Sequence, residues 1–261
     1  MPHTIFHHRH VRAARALLLA ACVLAIPAVP ALASPLDWIS GNSIRGSGKL
    51  QKQTREVGSF HGVALNVPGN VELRIGNTDS VTIEADDNIL PLIDTVVENG
   101  TLRIRPAKRN ANFRQTSLTI VIQARQVERI SVGGSGSINA SGLRAETLRF
   151  DVGGSGSISA RDLDSRMVSV AIGGSGNFKA SGKTEQLTAS IGGSGNIQAG
   201  SLAARDAQVS IGGSGEATVW AKDELTISIG GSGEVNYYGD PRISRSMQRS
   251  SSIKRLGSAP N

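Results

Sequence analysis

Apolar and polar residues alternate in short runs through the second half of the chain, and these runs flank a recurring Gly-Gly-Ser-Gly tetrapeptide. Five alternating runs precede a tetrapeptide: Leu148-x-Phe150-x-Val152, Val168-x-Val170-x-Ile172, Leu187-x-Ala189-x-Ile191, Ala207-x-Val209-x-Ile211 and Leu225-x-Ile227-x-Ile229. A second alternating pair follows each tetrapeptide: Ile138 and Ala140, Ile158 and Ala160, Phe178 and Ala180, Ile197 and Ala199, Ala217 and Val219, and Val235 and Tyr237. A period of two predicts short β-strands that turn one set of side chains inward.

The tetrapeptide lies between two strands, and we expect it to form a corner. Glycine suits a sharp corner, because positive φ or close backbone approach leaves no room for a Cβ. Second corners are expected near Ser141-Gly142, Arg161-Asp162, Ser181-Gly182, Gly200-Ser201 and Ala221-Lys222. Leu143, Leu163 and Leu202 follow three of these corners and are expected to fold back into the core.

The spacing of the tetrapeptides predicts the architecture. The six copies start at Gly133, Gly153, Gly173, Gly192, Gly212 and Gly230, at steps of 18 to 20 residues. A repeat this short cannot enclose a core alone, so it becomes stable only when neighbouring copies stack and share an apolar interior. Two strands and two corners fit one flattened coil at about 3.3 Å per strand residue. The sequence therefore predicts an all-β solenoid.

In-register stacking would also align the serines of the tetrapeptides. Their hydroxyl groups are then expected to hydrogen-bond along a column, in which successive coils are about 4.8 Å apart. The column consists of Ser135, Ser155, Ser175, Ser194, Ser214 and Ser232. The rival geometry is an antiparallel meander or barrel, which is less consistent with the pattern because two-residue hairpins favour Asn-Gly or Asp-Gly turns.

The region before the repeats also alternates, although less regularly. Its strand-like runs are 63–67, 71–75, 81–85, 102–105 and 118–122, separated by turn residues such as Pro68-Gly69-Asn70 and Asn99-Gly100. We expect them to form irregular coils that cap one end, since an open solenoid end exposes a sheet edge. The predicted organisation is a linker at 34–48, an irregular β part at 49–125, repeats at 126–240 and a basic Ser-rich tail at 241–261.

The N-terminal 33 residues are predicted to be a secretory signal peptide. Basic residues are followed by an apolar run and by Ala31-Leu32-Ala33, small residues that suit cleavage before Ser34. The run is short for a membrane span and contains Pro27 and Pro30. A second interpretation stays open, because Leu19-Ala20-Ala21-Cys22 resembles a lipoprotein motif in which Cys22 is lipidated. The protein is expected in the bacterial periplasm or on the outer surface.

The charge distribution argues against nucleic-acid binding. The net charge of +7 falls to +4 without Arg9, Arg12 and Arg15 of the predicted leader. The tail contributes five more basic residues, Arg242, Arg245, Arg249, Lys254 and Arg255, which leaves the body near neutral. A nucleic-acid surface needs a basic face interleaved with aromatic residues. The tail is expected either to contact anionic lipid or to form a final half-coil.

The glycine-rich tetrapeptides do not match known ligand loops. A calcium β-roll would need Asp where this chain has Ile138, Ile158, Phe178, Ile197, Ala217 and Val235. A phosphate loop would need a following Lys-Ser or Lys-Thr and a helix. We therefore predict no cofactor and no metal site.

The sequence also offers little support for a catalytic site. Asp86 and Asp87 are adjacent, and they are expected in a solvated turn before Asn88; Asp162 and Asp164 are expected in a solvated corner. Paired carboxylates would be needed for a glycosidase. His61 is the single histidine after leader cleavage, too few for a dedicated metal site, and no Gly-x-Ser-x-Gly elbow occurs. The sequence therefore predicts that the protein is not an enzyme.

Aromatic residues that could stack on a sugar are few. Trp220 follows Val219 at a predicted corner, and it is the candidate surface-binding residue. The alternative is that Trp220 closes the end of the core.

The order of motifs resembles the head GIN domain family of auto-transporter adhesin heads. The residues that carry the resemblance are Arg55-Glu56-Val57-Gly58-Ser59-Phe60-His61-Gly62-Val63, Gly69-Asn70-Val71-Glu72-Leu73, Ala85-Asp86-Asp87-Asn88-Ile89 and Asn99-Gly100-Thr101-Leu102, followed by the Gly-Ser-Gly corners. The similarity spans about residues 44 to 256. It implies a right-handed parallel β-helix in a bacterial envelope protein, and it carries over no catalytic or ligand residue.

These observations together predict a non-enzymatic exported envelope protein. Its solenoid would display a flat polar face to a surface polymer or an envelope protein, as an adhesin does. The alternative is a carbohydrate-active β-helix enzyme, a lyase or a glycosidase.

Overall fold

The computed structural model describes residues 43–108, 113–114, 117–247 and 250–260. These residues form strands and turns, with a single 3₁₀ turn at Leu90–Leu92. The strands are β1 (Ile44–Arg45), β2 (Leu50–Glu56), β3 (Gly62–Leu65), β4 (Asn70–Ile75), β5 (Ser80–Asp86), β6 (Ile93–Glu98), β7 (Thr101–Pro106), β8 (Phe113–Arg114), β9 (Leu118–Ala124), β10 (Arg129–Val132), β11 (Ser137–Ser141), β12 (Arg144–Val152), β13 (Ser157–Ile172), β14 (Asn177–Ile191), β15 (Asn196–Ile211), β16 (Glu216–Ile229), β17 (Glu234–Tyr238), β18 (Arg242–Met247) and β19 (Ser252–Gly257). The predicted leader and Cys22 lie outside the described residues.

The repeats stack as parallel coils in register. Ile158 of β13 pairs with Phe178 of β14, which pairs in turn with Ile197 of β15. All described pairings among β10 to β19 are parallel. The predicted β-solenoid is therefore confirmed, and the antiparallel meander or barrel is excluded, since neighbouring strands of a meander would run in opposite directions.

Each coil presents two sheet faces, one on either side of the tetrapeptide. The pre-glycine face consists of the strand segments just before the tetrapeptides: 129–132, 149–152, 169–172, 188–191, 208–211 and 226–229. The post-glycine face consists of the segments just after them: 137–141, 157–160, 177–180, 196–199, 216–219 and 234–238. Side chains alternate along both faces between the core and solvent.

The core is a continuous stack of like positions. The rings of Phe150 and Phe178 approach with their centroids 5.0 Å apart in a tilted arrangement. Leu143, Leu163 and Leu202 are fully buried next to the second corners, as expected. Each coil thus supplies both faces with apolar side chains, and burial in neighbouring coils stabilises all of them together.

The tetrapeptide corners require glycine because the coils approach closely there. A Cβ on Gly174 would overlap the carbonyl oxygen of Gly154, and a Cβ on Gly176 would overlap Val152 Cγ1. Positive φ is not the cause, since the described glycines with positive φ lie elsewhere, at Gly48, Gly100, Gly142, Gly182 and Gly239. The close stacking of one corner on the next is what excludes a side chain.

The prediction of a hydrogen-bonded ladder of serine hydroxyls is wrong for most of the column. The serines are exposed, and the bond from Ser232 Oγ to Ser250 Oγ at 3.4 Å is the single one that links tetrapeptide serines to a neighbouring serine among the described residues. The corners are held instead by the backbone, as where Ser175 N donates to Gly154 O at 3.2 Å. A solvated hydroxyl gains little from such a bond, whereas a backbone N–H between stacked coils must be paired.

Three of the second corners use the left-handed backbone region. Gly142 has φ of 69°, Asp162 of 55° and Gly182 of 128°. The register between β13 and β14 shifts at this point, between Ala160 and Leu163. Asp is among the few non-glycine residues that tolerate such φ values, which explains its presence at one corner.

The N-terminal coils stack in an order that differs from their order in the chain. β3 lies between β7 and β10, and β4 lies between β9 and β11, so the first coil is enclosed by the second and the third. The end beyond them is closed by antiparallel strands, with β6 on β7, β5 on β9 and β2 on β5. Arg55 of β2 donates to the carbonyl oxygens of Ile93 at 2.7 Å and Leu90 at 2.9 Å, which ties the cap together.

The C-terminal segment continues the stack. β18 pairs with β16, and β19 pairs with β17, both in parallel. Two of the basic side chains of this segment are engaged internally, since Arg242 contacts Glu224 at 2.7 Å and Arg255 contacts Asp240 at 2.7 Å.

Candidate functional site

The post-glycine face presents a polar surface of amide, hydroxyl and a few charged side chains. Its outward residues are Ser137, Asn139, Ser157, Ser159, Asn177, Lys179, Asn196, Gln198, Glu216, Thr218 and Glu234. Asn236 occupies the next position in this register but is buried. Parallel register places equivalent residues of successive coils side by side, at about 4.8 Å. The face is therefore a regular grid of hydrogen-bonding groups.

At the two ends of this grid, polar side chains form hydrogen bonds with other side chains of the protein. Near the N-terminal end, Ser137 Oγ donates to Asn70 Oδ1 at 2.7 Å, and Asn139 Nδ2 donates to Glu72 Oε1 at 3.3 Å. Near the C-terminal end, Asn236 Nδ2 donates to Glu216 Oε1 at 3.1 Å.

In the middle of the grid, four polar side chains lack such hydrogen bonds among the described residues. Lys179, Asn196, Gln198 and Thr218 make no side-chain hydrogen bond or ion pair with another described residue. Their polar groups are free to meet a ligand, and they point outward from neighbouring coils.

A groove lies over these unpaired side chains. Its volume is about 770 Å³, and it is lined by Lys179, Asn196, Gln198, Thr218 and the segment 256–260. That segment comprises the last two residues of β19 and the three residues after it, and it forms one wall. Arg255 holds the wall in place, because its Nε donates to Gly239 O at 2.9 Å while Gly239 N donates to Gly257 O at 2.9 Å.

Tyr238 supplies the aromatic surface of the groove. It is half-buried at the end of β17, and its ring crosses the coil of β16 to reach β15. A Cβ on Gly200 would lie 3.2 Å from Tyr238 Cε2, and a Cβ on Gly257 would lie 3.9 Å from Cδ1 on the other edge of the ring. The ring therefore sits between the floor and the wall of the groove.

Trp220, the candidate from the sequence, lies on β16 beside the groove rather than among its lining residues. It is half-buried, and it pairs in register with Ala203 on one side and Tyr238 on the other. Lys222 Nζ lies 5.8 Å from the centre of the Trp220 ring, within the range of a cation–π contact.

Asp86 departs from the expectation of a solvated turn. It ends β5 and is fully buried, and its Oδ1 accepts the backbone N–H of Gly48 at 2.8 Å. Asp87 is exposed and accepts the hydroxyl of Ser47 at 2.5 Å. The prediction for Asp86 was wrong because the segment before β2, counted as linker in the sequence, folds over it.

The other catalytic candidates are dispersed. Asp162 is exposed at its corner, and Asp164 pairs with Lys183 at 3.2 Å. His61 packs against Gly100 at the N-terminal end of the pre-glycine face. The described residues include no group of three or more His, Cys, Asp or Glu side chains that could hold a metal ion. Nor do they include a helix long and apolar enough to cross a membrane.

Sequence reasoning missed the groove residues Lys179, Asn196 and Gln198. A signal was available, because Asn177 and Asn196 occupy the same position after successive tetrapeptides, with Lys179 and Gln198 two residues further on. The wall formed by 256–260 gives no comparable signal.

A family model described as "Putative auto-transporter adhesin, head GIN domain" matches residues 59–241. The chain belongs to this family. The groove residues from Lys179 to Tyr238 lie within the head GIN domain, whereas the wall at 256–260 lies beyond the match.

Solved structures share the fold of this head GIN domain. A "putative adhesin" from Bacteroides fragilis NCTC 9343 is 26% identical with a TM-score of 0.77, and the match covers 82% of this chain and 100% of that chain. A "Putative lipid binding protein" from Parabacteroides distasonis ATCC 8503 is 25% identical with a TM-score of 0.70, covering 82% and 99%. No curated protein shows significant similarity to the chain.

Proposed function

We propose that this protein is an exported, adhesin-like solenoid that binds a neutral polysaccharide strand in the groove of the post-glycine face. The observation that carries the proposal is the set of unpaired polar side chains, Lys179, Asn196, Gln198 and Thr218, on the floor of one groove. Amide and hydroxyl groups at a regular spacing are suited to the hydroxyl groups of successive sugars. The description of family members and structural neighbours as adhesins supports a binding role.

The lining of the groove favours a sugar over a lipid. An acyl chain would need an apolar lining, whereas the floor here is polar. Tyr238 offers an aromatic surface for the C–H face of a sugar ring. The charged lining residues among those described, Lys179 and Glu216, are opposite in sign, which favours a neutral ligand.

The same lining favours binding over hydrolysis. Glycoside hydrolysis ordinarily uses two carboxylates that flank the bond. Glu216 is the one carboxylate among the described residues that line the groove, and it accepts a hydrogen bond from Asn236. The β-helix lyase or glycosidase alternative therefore has less support than a non-enzymatic adhesin.

The location of the protein follows from the leader in this proposal. The signal peptide at 1–33 would export the chain to the periplasm or the outer surface, where envelope polysaccharides are found. Lipidation at Cys22 would anchor the same solenoid without changing the groove. Trp220 would extend the aromatic surface beside Tyr238 for a longer strand.

The test is a screen of the mature protein on an array of bacterial envelope polysaccharides, followed by calorimetry with the strongest binder. Gln198→Ala is expected to weaken binding about three- to tenfold, in line with the loss of one net hydrogen bond. Gln208→Ala is the matched control, because Gln208 lies exposed on the same strand but on the pre-glycine face. An array without any binder, or an equal loss in the control, would contradict the proposal.

A further inference from the structure

Two arginines lie side by side at the N-terminal end of the pre-glycine face. Arg129 of β10 pairs directly in register with Arg149 of β12, so the two side chains leave the same face on adjacent strands. Both residues are exposed. Like charges in such positions repel each other and destabilise the pair unless something of opposite charge lies between them.

No carboxylate of the described residues forms an ion pair with either arginine, although Asp151 lies two residues along β12 from Arg149 on the same face. Arg129 and Arg149 form no ion pair, although nearby arginines do, as where Arg125 contacts Asp79 at 2.7 Å and Arg166 contacts Glu146 at 3.5 Å. The carboxylate closest in the chain is that of Glu128, and it accepts a hydrogen bond from Gln126 Nε2 at 3.0 Å.

The arginines border a cleft of about 200 Å³. Gly62 occupies the position next to Arg129 in the same row, and it lines the cleft together with Thr101. A Cβ on Gly62 would lie 2.9 Å from Thr101 Oγ1, so the hydroxyl of Thr101 lies in the space that a side chain at position 62 would take.

Apart from the carboxylate of Glu128, the remaining lining provides further hydrogen-bond donors. Asn99 and Thr147 line the cleft with an amide and a hydroxyl, and His61 contributes its imidazole. Paired guanidinium forks with neutral donors around them form the chemistry that recognises an oxyanion, because each fork can hold two oxygens at once. The cleft volume suits a single such group rather than a polymer strand.

We propose that this cleft binds a phosphate group through Arg129 and Arg149, separately from the polysaccharide groove on the other face. The phosphate belongs either to a small soluble phosphate or to the headgroup of an anionic lipid. The two sources present the same oxygens to the two guanidinium groups, and they are separated by experiment.

The primary test is titration of the mature protein with inorganic phosphate at low salt, followed by calorimetry and by the shift in melting temperature, which rises when a ligand binds the folded state. The double variant Arg129→Gln, Arg149→Gln is expected to weaken phosphate binding tenfold or more, since charge-assisted hydrogen bonds are lost on both sides. Arg161→Gln is the matched control, because Arg161 is exposed and lies outside the cleft. The phosphate affinity of the Arg161→Gln variant should stay within about twofold of that of the wild type.

Glu128→Gln provides a second test, in which phosphate binding is expected to become stronger rather than weaker. Removing a negative charge from the lining should tighten phosphate binding by a few fold, and weaker binding would count against the proposal.

Vesicles identify the source of the phosphate. Flotation with phosphatidylcholine vesicles that contain phosphatidic acid, but not with phosphatidylcholine alone, together with loss in the double variant, assigns a lipid headgroup. Phosphate binding without flotation assigns a soluble phosphate. The proposal is overturned if neither probe binds, if binding persists in the double variant, or if the Arg161 control loses as much affinity.

Discussion

The ring of Tyr238 lies against Gly200, a residue on the strand two coils away in the stack. A Cβ at Gly200 would lie 3.2 Å from Tyr238 Cε2 and 3.0 Å from Thr218 Cγ2. The absence of a side chain at Gly200 thus allows the tyrosine to reach across the coil of β16 and border the groove. Gly200→Val should displace the ring and weaken polysaccharide binding about fivefold or more, in line with the loss of an aromatic contact.

The measurement is calorimetry with the polysaccharide identified on the array. Gly153→Val is a suitable control, because a Cβ there would meet nothing within 4 Å. Unchanged affinity in Gly200→Val would show that the position of the ring is irrelevant to binding.

A second prediction concerns two glycines of one tetrapeptide. Gly176→Ala places a Cβ against Val152 Cγ1 and the carbonyl oxygen of Gly156, whereas Gly173→Ala places one in open space. Gly176→Ala should lower the free energy of unfolding by about 1–3 kcal/mol, the usual cost of overpacking. Gly173→Ala should change it by less than about 1 kcal/mol. Urea denaturation of both variants checks the difference, and equal effects would refute close stacking at the corners.

The ion pair between Asp79 and Arg125 gives a prediction about pH. Burial works against ionisation of Asp79, but hydrogen bonds from the backbone N–H and the guanidinium of Arg125 outweigh it and lower the pKa of the carboxyl below its ordinary value. A lowered folded-state pKa means that the contribution to stability is present above the unfolded pKa, about 3.9, and is lost as pH falls through the folded value.

Asp79→Asn should therefore reduce the free energy of unfolding by about 1 kcal/mol at pH 7. The gap between variant and wild type should shrink once the pH falls below about 4. Urea denaturation across this range measures it. A gap that is constant with pH would mean that the charge of Asp79 contributes nothing.

The buried carboxylate of Asp86 predicts how the N-terminal cap is fastened. Asp86→Ala removes the acceptor of the Gly48 N–H and should destabilise the cap by about 1–3 kcal/mol, in line with the loss of a hydrogen bond to a charged group. Limited proteolysis should then cleave near residues 45–49 faster than in the wild type. Asp87→Ala, at an exposed position, should have a smaller effect. Similar cleavage rates in both variants would contradict a specific role for Asp86.

The repeat part of the fold is predictable from sequence because its information is local and repeated. Alternation identified Phe150 and Phe178 as inward residues, and the period of the tetrapeptides identified parallel stacking; both residues are buried in adjacent coils. The enclosed position of β3 was not predictable, since its pairing with β7 and β10 joins unlike sequences far apart in the chain.

The sequence predicts the polar character of the candidate site but not its position on the solenoid. A polar face follows from the alternation, whereas the groove depends on the return of residues 256–260 toward Tyr238. The burial of Asp86 likewise depends on Gly48, which lies 38 residues earlier. Contacts of this sort carry no periodic signal, so sequence patterns do not reveal them.

Hydrogen exchange of the mature protein with and without the polysaccharide tests the central claim most directly. Binding in the groove predicts slower exchange in the segments 177–180, 196–199 and 216–219 and in the wall at 256–260. Exchange on the pre-glycine face, including 208–211, should not change. Protection confined to the pre-glycine face, or absent from the wall, would contradict the account.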